Sequence, residues 1–598
     1  MTRFRFTPGT NAPEFDRVRR QFLQGLTAGV FALGAVRPDR GIASGLGAPG
    51  SAPEPWGAAA GLLPNSLPAT FDAPGTLPAG PGAILRGTDF NLEIAHREVN
   101  FTGVRRTATV VNGLLPGPLL CWRQGDTVTI RVTNRLSVPT SMHWHGMLLP
   151  ANMDGVPGLS FAGIQPGETF AYRFPVGQSG TYWYHSHSRF QEQVGLYGAI
   201  RIEPREGAPG GWDREHVVLL SDWTDTDPER LYRTLKVQSD YYNYQRRTAA
   251  DFIADAREHG LAPTVAERRM WGQMRMNPTD LLDVSGHAYT YLLNGITPAG
   301  NWTGLFRRGE RVRLRIINGS SMSFFDVRIP GLDLTIVAAD GQEVEPVTVQ
   351  EFRIGAAEVY DVMIRPAADS AYTFFAQALD RSGYARGTLA PAAGMQAPVP
   401  PLDPRPLLSM TDMAMGMGAA PAAGHVAGVL VDSVAAQPTS RVDDPGVGLR
   451  GNGRRVLTYS DLHTRGGPLD TREPQREIRL HLTGHMQRFV WSFDGQKFSE
   501  SVPLQFRHGE RLRIMLINDS MMTHPIHLHG MWSEVHAPDG TFLTRKHTVV
   551  VQPGQLLSYD VTPDEIGRWA FHCHLLYHME AGMFREVLVS RPDPDRPA

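Results

Sequence analysis

Near the C-terminus of this 598-residue chain, His572-Cys573-His574 is followed by His578, five residues past the cysteine, and by Met583, ten past it. A thiolate, imidazoles and a more distant thioether are the donors of a blue-copper electron-transfer site, a trigonal His₂Cys arrangement with a weak axial Met. On a β-strand successive side chains point to opposite faces. Cys573 is therefore expected to bind one metal while His572 and His574 bind metal on the other side. Three consecutive residues then join an electron-accepting site to a second metal site.

Of the 21 histidines, eight form four His-x-His pairs: His143/His145, His185/His187, His527/His529 and His572/His574. Residues i and i+2 of a strand share a face, so each pair sets two imidazoles side by side. A lone His is more often a satisfied core or surface residue than a ligand. Four pairs at matching positions in two repeats point instead to metal, provided the first and third repeats pack together. Imidazole suits copper and zinc alike. The adjacent Cys573 selects copper, since a zinc hydrolase has no use for it.

The elements that must position these residues repeat three times. Gly125–Asn134, Gly309–Asn318 and Gly509–Asn518 each alternate apolar and polar residues from a Gly to an Asn, as half-buried strands do. Nine residues past Asn134 stands His143-Trp144-His145-Gly146, and nine past Asn518 stands His527-Leu528-His529-Gly530. Nine past Asn318 stands Val327-Arg328-Ile329-Pro330. Likewise Gly180–Tyr184 leads into His185 and Gly567–Phe571 into His572, whereas Ala371–Gln377 contains no His. Three related β-sandwich domains are expected, at about 85–205, 206–400 and 451–598, joined by a Met/Pro/Gly-rich linker at 401–450; the outer two carry metal and the middle one is structural.

A net charge of −2 and a pI near 6.9 give no basic footprint for nucleic acid. The 62 Gly and 46 Pro, spread among short alternating segments, suit an all-β architecture. Two cysteines make no disulfide framework, and Cys121 is expected to be a small buried apolar residue. Arg19-Arg20-Gln21-Phe22-Leu23 precedes an uncharged run from Gly25 to Val36. That run is too short to span a bilayer and suits the apolar region of a signal peptide. The paired arginines resemble a twin-arginine export signal, placing a signal region at 1–45, a Gly/Ala/Pro-rich lead-in at 46–84 and the mature protein in the periplasm. No later segment reaches the length of a membrane span.

The motifs His-Trp-His-Gly, Tyr-His-Ser-His, His-Pro-x-His-Leu-His-Gly and His-Cys-His-x₃-His-x₄-Met resemble those of the three-domain multicopper oxidases, over residues 85 to 590. Leu148–Phe161 and Phe190–Gly198 are similar, more narrowly, to the periplasmic copper-resistance oxidases of the CopA type. The resemblance implies three tandem cupredoxin-like Greek-key sandwiches and four copper ions: one type 1, one type 2 and a type 3 pair. It implies type 1 ligands His524, Cys573 and His578 with Met583 axial. It gives His143 and His527 to type 2 copper, and His145, His185, His187, His529, His572 and His574 to the type 3 pair. Four one-electron oxidations would then be coupled to reduction of O₂ to water.

Asp154 matches an acidic residue that related oxidases place near the cluster, and is assigned to proton relay or electrostatic tuning. Some metal-oxidising relatives have a Glu directly after the type 1 His; here that position is Met579, and Glu580, one place later, is the candidate for the same proton relay. Met410, Met413, Met415 and Met417 lie within eight residues, and thioethers favour Cu(I). Met270, Met274 and Met276 form a second group, read as core packing. The leading expectation is an exported, monomeric cuprous oxidase of copper resistance, with O₂ as acceptor and Cu(I) as reductant. The alternatives are a laccase-like phenol oxidase and a periplasmic copper-sequestering protein.

Overall fold

The computed structural model describes residues 83–207, 210–415 and 428–591. The expected signal region, most of the lead-in and Met417 lie outside the described residues. Three pairs of β-sheets follow one another along the chain, of four and five strands in the first repeat and of six and five in each of the others.

In each repeat the Gly-to-Asn segment is a central strand: Thr127–Asn134, Val312–Asn318 and Leu512–Asn518. Each runs parallel to an earlier strand (Asp89–Asn100, Arg214–Trp223, Arg476–His485) and antiparallel to a later one. In the first, Val128, Ile130 and Val132 are wholly buried while Thr127 and Arg131 face solvent, as the alternation requires.

The terminal Asn of the repeat has a structural task. Its buried Nδ2 donates to two carbonyls: Val138 and Ile164 for Asn134, Ser323 and Ile354 for Asn318, Met522 and Val551 for Asn518. Its Oδ1 accepts the N–H two residues on, at Leu136, Ser320 and Ser520, as Asn side chains do in turns. Each bond contributes about 1 kcal/mol, and together they fix where the next strand begins.

That strand is His143–His145, Phe325–Arg328 or His524–Leu528. It pairs antiparallel with Gly180–His185, Tyr372–Ala378 or Gly567–Cys573. His143 lies opposite His185 and His527 opposite His572, while the middle repeat sets Val327 opposite Ala376. The register read from the spacing therefore holds in all three repeats.

The middle repeat also carries helices Pro228–Val237, Ala249–His259 and Leu261–Met274. The first is capped by Asp227 and buries Leu231 and Leu235, one turn apart. Lys236 Nζ donates to the Phe489 carbonyl and Arg275 to Gln487, so this insertion clasps a loop of the third repeat. Met276 is buried and Met274 packs on the same core, as expected for packing residues. Cys121 is buried and unbridged. No helix among the described residues is long and apolar enough to cross a membrane.

Candidate metal centres

Cys573 ends its strand opposite Ile526 and is fully buried. Its Sγ lies 3.5 Å from His524 Nδ1 and 3.9 Å from His578 Nδ1, and those nitrogens are 3.3 Å apart. His524 opens the neighbouring strand, and His578 sits on the short helix Leu576–Glu580. A trigonal ion bonded to nitrogen at about 2.0 Å and sulfur at about 2.3 Å sets such atoms about 3.5 and 3.7 Å apart, so the triangle fits one metal. Burial pushes the Cys573 thiol up, and a bound cation is what would hold it as thiolate. Met583 is fully buried; its carbonyl accepts the Cys573 N–H, and its own N–H donates to the His578 carbonyl.

The outer nitrogens of this site are also engaged. His524 Nε2 meets Ser520 Oγ at 2.7 Å, and His578 Nε2 meets Asp283 Oδ2 at 2.7 Å. Asp283 belongs to the middle repeat, and burial pushes its carboxyl up to about 8. Trp491 stacks on the His578 ring at 3.9 Å.

The four His-x-His pairs converge between the first and third repeats. His187 and His529 each bring Nε2 to His572 Nε2, at 3.2 and 3.0 Å, and His185 Nε2 is 3.4 Å from His574 Nε2. Their Nδ1 atoms show where the protons sit. His572 Nδ1 faces the Cys573 carbonyl, His529 Nδ1 the Asp154 carboxylate and His185 Nδ1 the Ser186 carbonyl, with a Glu192 carboxyl oxygen 2.7 Å away. His143 Nδ1 faces the Asp154 carbonyl, and His527 Nδ1 the His547 carbonyl. Only a protonated Nδ1 satisfies these acceptors, so each Nε2 is a bare lone pair. The Nε2 atoms of His143 and His527 are buried without any partner. Lone pairs aimed at one another across 3.0 Å repel unless a cation lies between them, and that donor set fits copper.

Burial and the neighbouring imidazoles push His145, His185, His187, His527, His529 and His574 well below the usual range, and His572 to about 4. In the unfolded chain these groups titrate near 6.5. Below that value the unfolded chain binds more protons than the folded one, so stability falls as the pH drops toward 4. His572 alone contributes on the order of 3 kcal/mol. Copper-free protein is expected to lose Tm from about pH 6.5 downward, before ordinary carboxylates titrate. A Tm constant between about pH 7 and 5 would contradict buried, neutral imidazoles.

Asp154, expected near the cluster, is there. Its Oδ2 accepts from His529 Nδ1 at 2.8 Å and its carbonyl from His143 Nδ1 at 2.8 Å, so it joins histidines of two repeats. Oδ1 lies 3.3 Å from the same His143 nitrogen without an aligned donor. Gly155 has φ +81°, and a Cβ there would stand 1.9 Å from the Met142 carbonyl oxygen, so the turn that presents Asp154 requires glycine.

Glu580 meets Arg189 at 3.1 Å rather than a histidine. With Arg189, Lys497, Arg568 and Met579 it lines a cavity of about 490 Å³ that reaches His187. A second buried carboxyl beside the histidine cluster is that of Glu192, 2.7 Å from His185 Nδ1. Burial and nearby Asp222 hold its pKa well above the usual range. Glu192 lies in the Phe190–Gly198 stretch, but nothing local distinguishes it from a surface Glu. Met413 is buried in the core, and Met410 and Met415 are half-buried against it, so this Gly-rich setting supports more packing than its composition suggests.

Multicopper oxidase families match residues 93–207, 214–394 and 471–593, and the chain belongs to the multicopper oxidases. It is 55% identical to copper resistance protein A of Pseudomonas syringae pv. tomato over 570 residues, 85% of this chain and 93% of that protein. It is 54% identical to copper resistance protein A of Escherichia coli over 578 residues, 87% of this chain and 95% of that protein. The fold is shared with Fet3p, a multicopper oxidase that functions in iron import, at a TM-score of 0.61 and 20% identity over 85% of this chain and 91% of Fet3p. The family, the all-β architecture and the oxidase class expected from the motifs are thus borne out, with copper as cofactor.

Proposed function

We propose that the protein is a cuprous oxidase of copper resistance, exported by the twin-arginine route to the periplasm and acting there as a monomer. It would hold four coppers. His524, Cys573 and His578, with Met583 axial, would carry type 1 copper, and His143 and His527 type 2. His145, His185, His187, His529, His572 and His574 would carry the type 3 pair. The observation that carries this reading is the set of bare imidazole nitrogens facing one another beside a buried thiol triangle. The identity to two copper resistance proteins along most of their length supports the role.

Bound copper supplies one-electron redox chemistry: four Cu(I), O₂ and four protons become four Cu(II) and two waters. The chain supplies the rest. Cys573 is peptide-bonded to His572 and His574, giving a covalent route between the two centres. Asp154 holds the Nδ1 proton of His529, and the Ser186 carbonyl that of His185, so that Nε2 faces inward. The cavity at His187 is a route for small molecules to the cluster.

The test is O₂ uptake by the fully copper-loaded protein, with Cu(I) in a weak chelator and a simple phenol supplied separately. Uptake with Cu(I) and little with phenol supports the reading, the reverse makes the protein a laccase, and slow uptake with both points to sequestration. Half-buried Met410 and Met415 are the accessible thioethers of the described run. The volume-conserving Met410→Leu/Met415→Leu variant is expected to lower kcat/KM for Cu(I) about tenfold, equivalent to about 1.4 kcal/mol, with the blue absorption unchanged. An unaltered kcat/KM would remove these methionines from substrate handling.

A further inference from the structure

The indole of Trp491 lies against the thiol triangle, and neither the histidine motifs nor the ligand set accounts for it. Trp491 stands on strand Val490–Phe493 of the third repeat and is wholly buried. Its ring stacks on His578, with centroids 3.9 Å apart and planes 24° from parallel. It meets His524 edge-on, at 5.3 Å and 70°. One side chain thus touches both histidines of the triangle without offering a donor atom to metal. Its Nε1 is buried with no hydrogen-bond partner, so packing alone holds the ring.

Two features set that ring in place. Opposite Trp491 in the sheet stands Gly484, where a Cβ would come within 2.4 Å of the indole, so only glycine leaves room for it. Phe489 packs edge-on against Trp491 at 6.0 Å and lies 5.9 Å from His578. Phe489 has φ +48°, a left-handed conformation that a bulky side chain rarely adopts. Its carbonyl accepts from Lys236 Nζ at 2.8 Å, and Gln487, two residues earlier, accepts from Arg275 at 2.8 Å. Both cations come from the helical insertion of the middle repeat. The insertion therefore clamps the turn that sets Phe489 and Trp491 against the triangle.

His578 has need of such a surface. It sits on a five-residue helix, and its outer nitrogen is tied to Asp283. The χ2 torsion of a histidine is broad, so a bond at one corner leaves the plane of the ring free to tilt. A tilt swings the Nδ1 lone pair away from the point shared with the Cys573 sulfur and the His524 nitrogen. A flat ring against the imidazole face opposes that motion, and Trp491 is the ring stacked there.

We propose that Trp491 is a positioning residue for the type 1 site: its indole face fixes the plane of His578, and Lys236 of the middle repeat, through Phe489, holds the indole there. The proposal rests on the type 1 assignment above. It gives the middle repeat a part in shaping a copper site to which it contributes no ligand.

The test uses copper-loaded wild type, Trp491→Phe, Trp491→Leu and Lys236→Met. Phe keeps an aromatic face, Leu fills space without one, and Met keeps the lysine stem without its amine. Type 1 copper is followed by its blue band, its electron paramagnetic resonance splitting and its retention against a chelator; the paramagnetically silent share reports the cluster. In Trp491→Leu the type 1 affinity is expected to fall about tenfold and the splitting to change, with the silent share at the wild-type value. Trp491→Phe is expected to stay close to wild type. A wild type without a type 1 signal would refute the type 1 assignment itself. With that signal present, a Leu variant identical to wild type would overturn the role of Trp491. Equal losses in Phe and Leu would make the indole filler, and equal losses from both copper centres in Leu would make it a general stability residue; either overturns the proposal. Where Trp491→Leu does not fold, Lys236→Met decides: a changed type 1 splitting with the silent share intact supports the inference, and an unchanged one overturns it.

Discussion

Replacing Cys573 by Ser is expected to abolish the intense visible absorption and reduce O₂ uptake to background with every reductant. Cys573 offers the only sulfur anion in a triangle otherwise made of His524 and His578 nitrogens, and a serine hydroxyl is neither soft nor readily ionised. The substitution also removes the redox centre from the covalent route to His572 and His574. Because Ser is smaller and the pocket is fully buried, some loss of stability is expected as well, so copper content must be measured alongside turnover. The informative result is a variant that retains three coppers per chain and its paramagnetically silent pair but no blue band. Residual blue colour or turnover would mean that electrons enter elsewhere and that His524, Cys573 and His578 do not form the type 1 site.

The second large effect is expected at Asp154. Its Ala variant leaves the Nδ1–H of His529 buried without an acceptor, and frees the turn that carries the carbonyl holding His143. Loss of one such outer partner typically costs 10–100-fold in metal affinity or activity. With one histidine from each outer repeat affected, O₂ turnover is expected to drop about 100-fold, with copper lost from the cluster before the blue site. Asp154→Asn keeps an oxygen for His529 and leaves the main-chain carbonyl in place, so about a tenfold loss is expected. The comparison is made at equal copper loading, by single-turnover reoxidation of fully reduced protein. Equal rates for Asp154→Ala and wild type would reduce Asp154 to a turn residue.

Much of this arrangement was legible in the chain. The Gly-to-Asn repeat and the nine-residue step to the histidines identified three sandwiches and their register, because strand alternation and turn chemistry are local. Asn134, Asn318 and Asn518 show why the step is constant: one amide ties the loop before the next strand to a later segment, at Ile164, Ile354 or Val551. The alternation along His572-Cys573-His574 likewise predicted two faces, and the strand sets Cys573 beside His524 while His572 and His574 meet His529 and His185. The expectation of a purely structural middle repeat is what the fold amends. Asp283 reaches His578 across 295 residues of sequence, and Lys236 holds the Phe489 carbonyl across 253.

The sequence by itself determined which residues are the candidate copper ligands, how many repeats present them and which repeat lacks the His-x-His pairs, since each depends on residue type and short-range period. Only the tertiary structure decided which ring nitrogens face inward and which carboxyl groups meet the others: Asp154 at His529 and Asp283 at His578. A hydrogen bond between His529 and Asp154 joins residues 375 apart. No local pattern encodes such a contact, because it exists only once the first and third sandwiches pack face to face and the excluded water leaves each buried N–H a single acceptor to find.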